Sequence, residues 1–141
     1  MPITIDLLDE AHAQVAPTIL TADGNQPVYS DAVPDSPPPE YVLVRTSVSW
    51  PDATDGKSFD GTTSTCVTRW FTYSVGPNSQ SARSINNRVR QLLVNVHPTI
   101  TGRSCGFIQQ DPLDIPPDFN ETAGGLVVTL REQYTLTTYP G

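Results

Sequence analysis

The sequence predicts an α+β fold in which a mostly antiparallel β-sheet is backed by two helices. Two segments, Tyr41–Trp50 and Leu126–Thr137, alternate apolar and polar residues with the period of a half-buried strand. A third, Asn78–Val96, gathers its apolar residues on one helical stripe instead. The 14 prolines and 9 glycines, set against 16% charged residues, leave many turns and few solvated charge faces, which suits a β-rich chain with long loops.

In chain order, the first helix is expected from Ile5 to Ile19. Leu7, Leu8, Ala11, Val15 and Ile19 recur at mostly three- and four-residue steps, Asp6, Asp9 and Glu10 sit early where the helix dipole favours anions, and Pro17 is expected to fray or end the helix. Ala22–Gln26 is a turn signal, and Gln26–Val33 is a short strand that Pro34 closes. The tract PDSPPPE, Pro34 to Glu40, has the PxxP spacing of a polyproline II ligand; its plainer reading is a stiff connector between strands.

Tyr41–Trp50 places Val42, Val44 and Val48 on one face and Arg45, Ser47 and Ser49 on the other, so this strand has one wet side. Pro51 to Thr63 is polar apart from Phe59 and reads as a long exposed loop between neighbouring antiparallel strands. Ser64–Val75 carries bulk on both faces, Val67, Phe71, Tyr73 and Val75 against Cys66 and Trp70, and is expected to be central or covered on both sides.

Gly76-Pro77 ends that strand, and Asn78 or Ser79 can cap the helix that follows. Ala82, Ile85, Val89, Leu92, Leu93 and Val96 form its apolar stripe, Arg83, Asn86, Asn87, Arg88 and Arg90 lie away from it, and His97-Pro98 is the expected stop. Gly102–Asp111 reads as a short strand and Asp111–Gly125 as a second long loop. In the last strand Leu126, Val128, Leu130, Tyr134 and Leu136 alternate with Thr129, Arg131, Gln133, Thr135 and Thr137.

At 141 residues the chain is one domain's worth, residues 1–141, and a domain of this size buries roughly 68–70% of the surface its unfolded chain exposes. Its net charge of −7, with no long run of Lys or Arg, argues against sequence-specific nucleic-acid binding. No apolar run approaches the roughly 20 residues that span a bilayer, and the acidic start MPITIDLLDEAH is unlike a signal peptide. A soluble protein made inside the cell is expected, in which Cys66 and Cys105 are reduced, small apolar residues.

No chemical motif withstands its own test. Gly102-Arg103-Ser104-Cys105-Gly106 matches GxSxG, the elbow that would make Ser104 the nucleophile of a small hydrolase, but a helix precedes it, a strand follows it, and no histidine comes after His97. Gly56-Lys57-Ser58 resembles the end of a phosphate loop whose first glycine would have to stand at Pro51. Asp52, Asp55 and Asp60 lack the alternate-residue spacing and terminal glutamate of a calcium loop, and His12 and His97 belong to no metal-binding pair. Neither a cofactor nor an enzymatic activity is expected. Arg45, Arg69 and Arg131 fall within strands, with Glu132 in the last of them, and either cover a wet sheet face or form salt bridges to a neighbouring subunit.

The order helix, strand, strand, loop, strand, amphipathic helix, strand, long final strand resembles the tail terminator, or tail completion, proteins of long-tailed bacteriophages. The resemblance is carried by YVLVRTSVSW, the polar loop, TCVTRWFTYSVGPNSQSARSINNRVRQLLVNV and the ending GGLVVTLREQYTLTT, and covers most of the chain from Tyr41 onward. PDSPPPE matches no feature of the family.

The resemblance implies a subunit of a hexameric ring in the virion, at the head-proximal end of the tail, made in the host cytoplasm. Its partners would be further copies of itself, the major tail tube protein and a head-tail connector protein; DNA would pass through the lumen without being read. A neck or head-completion protein is the neighbouring alternative. Six copies would carry about −42, a wall along which DNA could slide. The surfaces expected to meet neighbours are the Pro51–Thr63 loop, with Asp55, Lys57, Phe59 and Asp60, the Asp111–Thr122 loop, with Asp114 and Phe119, and the strand residues Arg69 and Arg131.

Overall fold

The computed structural model describes residues 5–51, 65–113 and 115–141. The elements in order are α1 (Ile5–Ala13), α2 (Val15–Asp23), β1 (Val28–Ser30), β2 (Tyr41–Ser49), β3 (Cys66–Gly76), α3 (Ser79–Leu93), β4 (Arg103–Cys105), β5 (Gln109–Asp111), β6 (Asp118–Thr122) and β7 (Gly125–Pro140). They build one seven-stranded sheet of order β1-β2-β3-β7-β4, with β5 and β6 also paired to β7, and the helices lie on one side of it. The expected α+β class is observed.

Every pairing is antiparallel except β1 with β2, which run parallel with Tyr29 opposite Leu43. The Pro-rich residues 31–40 bring the chain back to begin β2 beside β1, which is the connector role the sequence suggested for PDSPPPE. β3 is central, flanked by β2 and β7. Its even-numbered residues, from Cys66 through Trp70 to Ser74, face the helices, as do Val42 and Val44 of β2 and Tyr134 and Leu136 of β7.

The expected first helix is two consecutive segments that meet at Gln14 and continue to Asp23, so Pro17 does not end it. Proline has no N–H, so the Ala13 carbonyl one turn earlier loses its helical donor. The indole of Trp70 fills the gap: its Nε1–H donates to the Ala13 oxygen at 3.0 Å. The core thus repairs the break that the sequence introduces. Gly24, at φ 67°, closes α2 in the left-handed conformation that glycine adopts without strain.

Asn78 caps α3 by accepting a 2.8 Å hydrogen bond from the Ser81 amide. The stripe Ala82, Ile85, Val89 and Leu93 is buried against Trp70, Tyr134 and Leu136, at roughly 1.5–3 kcal/mol for each large aliphatic. The sheet and helix meet so closely at Gly76 that a Cβ there would lie 2.9 Å from the Ala82 amide nitrogen. α3 stops at Leu93, short of the expected His97-Pro98. Asn95 turns to φ 66°, its amide donates to the Ile108 carbonyl at 2.9 Å, and Ile108 returns a 2.8 Å bond to Val96. Cross-chain pairing replaces the last helical turn.

Two further expectations are corrected. Gly102–Asp111 is two short strands, β4 and β5, rather than one, and the supposed loop Asp111–Gly125 contains β6, which folds back on β7 as a hairpin with Thr122 opposite Gly125. Tyr134 is fully buried and its hydroxyl has no partner among the described residues, while burial pushes its phenol well above the ordinary range. Removing that hydroxyl ends an uncompensated desolvation. Tyr134→Phe should therefore raise stability by about 1 kcal/mol, read as a higher urea midpoint. A lower midpoint would show that the hydroxyl is satisfied after all.

Candidate assembly surface

Alternation along the strands sends one set of side chains to the helices and the other to the open side of the sheet. On the open side, Leu43 and Arg45 of β2 lie opposite Tyr73 and Phe71 of β3, which lie opposite Arg131 and Gln133 of β7. One row further, Ser47, Arg69 and Thr135 are in register. Arg45, Arg69 and Arg131 are exposed, and Phe71 and Tyr73 half-buried. The Arg45 guanidinium lies 5.6 Å from the centre of the Tyr73 ring, a cation–π contact that holds it flat on the face.

None of these three arginines forms an ion pair among the described residues. At the margin of the face, Asp111 on β5 accepts hydrogen bonds from Gln133 Nε2 at 3.0 Å and from the Thr135 hydroxyl. These two bonds fix its carboxylate against β7. The open face carries the half-buried Phe71 and Tyr73 and three arginines, with Asp111, opposite Gln133, and Asp118, opposite Thr129, on the same side of the sheet.

The second surface is the β6–β7 hairpin. All five residues of β6 are exposed, and it pairs only with β7, so among the described residues its outer edge is unpaired. β3 reaches along β7 only as far as Val128, leaving the end of the hairpin, from Gly125 to Val127, beyond it. Phe119 (57% exposed) and Leu126 (39% exposed) present apolar area there, and Asp118 and Glu121 add two carboxylates. Exposed apolar side chains on an unpaired edge leave that edge available for contact.

The structure therefore unites Arg69 and Arg131 on one face, joins Arg45 to them, and sets Phe119 apart on the hairpin. Asp55, Lys57, Phe59, Asp60 and Asp114 lie outside the described residues, as do Asp52 and the Gly56-Lys57-Ser58 trio. Glu132 departs from the expected wet-face or intersubunit role. It points toward α3, takes hydrogen bonds from Gln110 Nε2 at 2.7 Å and Asn86 Nδ2 at 3.4 Å, and pairs with Arg90 at 3.5 Å. Its place in the even-numbered row of β7, between Leu130 and Tyr134, was the signal that could have found it.

The motif residues fall on ordinary structure. Ser104 is an exposed strand residue of β4 opposite Tyr139, with no strand-to-helix elbow beneath it. His97 Nε2 instead donates to the Cys105 carbonyl at 2.8 Å. Cys66 and Cys105 lie on either side of Thr138 in one row across β3, β7 and β4, about 9–10 Å apart by strand spacing and beyond the reach of a disulfide. Burial pushes the Cys66 thiol up to about 11, away from reactivity. Among the described residues no group of His, Cys, Asp and Glu is placed to hold a metal ion, and no helix is long and apolar enough to cross a membrane.

His12 has a structural task that its sequence position did not reveal. It is fully buried, with Nδ1–H donating to the Leu8 carbonyl at 2.7 Å and Nε2 accepting from the Thr138 hydroxyl at 2.8 Å. Arg103 donates to the same Thr138 hydroxyl oxygen at 3.1 Å and to its carbonyl at 2.9 Å, while Trp50 donates to Asp9 at 2.6 Å. The cluster clamps α1 to the far end of β7.

Burial lowers the His12 pKa most and nearby Arg103 lowers it further, whereas the Leu8 carbonyl and Asp9 raise it less. The unfolded imidazole takes up its proton near 6.5, and the folded one resists until lower pH. Unfolding thus binds a proton in this window, and stability present above pH 6.5 is lost as pH falls from there through the depressed native value. Urea midpoints should decline over that interval in the wild type, and His12→Gln should flatten the decline. An unchanged slope in the variant would remove His12 as its source.

The molecule thus has an α+β fold with an open sheet face and an exposed hairpin on a packed core. No protein-family model matches the chain, and no curated protein matches it. Among solved structures it is similar in fold to a chain described as "Virion of native gene transfer agent (GTA) particle", with a TM-score of 0.55, 14% identity, and coverage of 89% of this chain and 84% of that one.

Proposed function

We propose that this chain is a structural virion protein that forms a ring, with six copies, at the head-proximal end of a phage-like tail. The ring caps the tail tube, ends its polymerisation and offers a joining surface to the head connector. The observation that carries this reading is the shared fold with a chain of a gene transfer agent virion over 89% of the present chain. The open sheet face and the overhanging hairpin support it, because a subunit that works by assembly needs two surfaces for its neighbours. Its partners are copies of itself, the tube protein and the connector, while DNA crosses the lumen without sequence-specific contact. It acts through these surfaces, as a structural protein of the virion and not as an enzyme.

Tube growth tests the proposal. Purified protein added to polymerising tube subunits should arrest elongation at substoichiometric amounts and narrow the length distribution. Tubes that grow unchanged while the protein binds isolated head connectors would replace this reading with that of a neck protein one ring nearer the capsid. Tubes that grow unchanged with no binding to either would end both readings.

A further inference from the structure

Among the described side chains of α1 only Leu8 and His12 are buried, one turn apart, so one apolar and one titratable group hold this helix to the sheet. Leu8 packs in a small cluster with Trp50 and Cys66, separate from the main core, whereas α2 is anchored in the main core through Ala16 and Leu20. The two helices stand on different foundations. The hydrogen bonds of His12 fix its tautomer: a carbonyl only accepts, so Nδ1, 2.7 Å from the Leu8 oxygen, carries the proton, and Nε2 is left to accept from the Thr138 hydroxyl at 2.8 Å. The Arg103 Nε–H donates to that same hydroxyl oxygen at 3.1 Å, which turns the hydroxyl hydrogen toward the imidazole. A second proton on His12 has one place to go, Nε2, and there it meets the Thr138 hydrogen.

We propose that α1 is an acid-released arm: protonation of His12 at Nε2 breaks its bond to Thr138 and frees α1 from the end of β7, while α2, α3 and the sheet keep their packing. An imidazolium in this site faces the Arg103 guanidinium of β4 across the shared Thr138 oxygen. Trp50 touches both groups, with the His12 ring edge-on at 5.6 Å and the Arg103 guanidinium 5.3 Å from its ring centre. The Asp9 carboxylate, on α1 itself, accepts from the Trp50 indole, and the free thiols of Cys66 on β3 and Cys105 on β4 flank Thr138. Burial first, and Arg103 after it, hold the docked imidazole below its ordinary value, so the docked helix refuses a proton that a released one takes up near 6.5. Docking is therefore complete above that pH and is lost as pH falls below it, parting Leu8 from Trp50 and Cys66. Release of α1 is a local event, independent of whether the chain forms a ring.

Hydrogen exchange of the intact chain and nitrogen NMR of the His12 ring test the release together. At pH 7.5 the ring should be the Nδ1–H tautomer. Between pH 7.5 and pH 5 the amides of α1, corrected for the intrinsic pH dependence of exchange, should lose up to roughly thirtyfold in protection while those of β3 and α3 keep theirs. That factor is the advantage at pH 5 of a released helix whose imidazole titrates near 6.5. The imidazolium signal should grow over the same interval, and His12→Gln should abolish the pH dependence of α1 protection, whether the variant helix is docked or open. Any of four results overturns the proposal: an Nε2–H tautomer at neutral pH, an imidazolium that forms with α1 still protected, α1 protection unchanged down to pH 5, or protection lost equally in α1, β3 and α3. A pH dependence that survives His12→Gln overturns it as well.

Discussion

Trp70→Ala should cost about 3–5 kcal/mol, a large part of the stability of a domain this size. Trp70 is fully buried at the centre of the sheet, with Val44, Ile85, Val89 and Tyr134 in the same core cluster. The substitution also removes the only hydrogen-bond donor that Pro17 leaves for the Ala13 carbonyl among the described residues. Trp70→Phe separates the two effects: most of the packing survives and the carbonyl is left unsatisfied, at about 1–3 kcal/mol. Urea unfolding measures both, and hydrogen exchange should show the α1–α2 junction opening first in the phenylalanine variant. A phenylalanine variant as stable as the wild type, with an unchanged junction, would contradict the repair described for Pro17.

The second large effect falls on assembly and spares the fold. Phe119→Asp/Leu126→Asp replaces two exposed residues of the hairpin, so the urea midpoint should move by no more than about 0.5 kcal/mol. If the hairpin is the anchor of the proposed ring, its aromatic is a hot spot of about 2 kcal/mol or more, and assembly should weaken at least roughly thirtyfold. Light scattering across a concentration series reads the change directly. A double variant that assembles with the wild-type midpoint would place the contact elsewhere on the subunit.

What the sequence made legible is the part in which burial repeats with a fixed period. Val42 and Val44, the α3 stripe and the long row of β7 lie on the faces their spacing assigned them. Strand β6 was missed because DFNET is exposed at every position and so carries no apolar alternation; the Gly-Gly pair before Leu126 was the available hairpin signal. The early end of α3 and the survival of α2 past Pro17 depend on partners distant in sequence, Ile108 and Trp70, which no local pattern names. The same holds for the surface. Alternation could place Arg69 and Arg131 outside, but only the register brings Arg45, Phe71 and Tyr73 beside them.

Electron microscopy of the purified protein mixed with tail tubes tests the central claim most directly. The ring account predicts sixfold rings seated at one end of each tube and absent from its sides. A protein that remains monomeric and leaves both tube ends bare would contradict it.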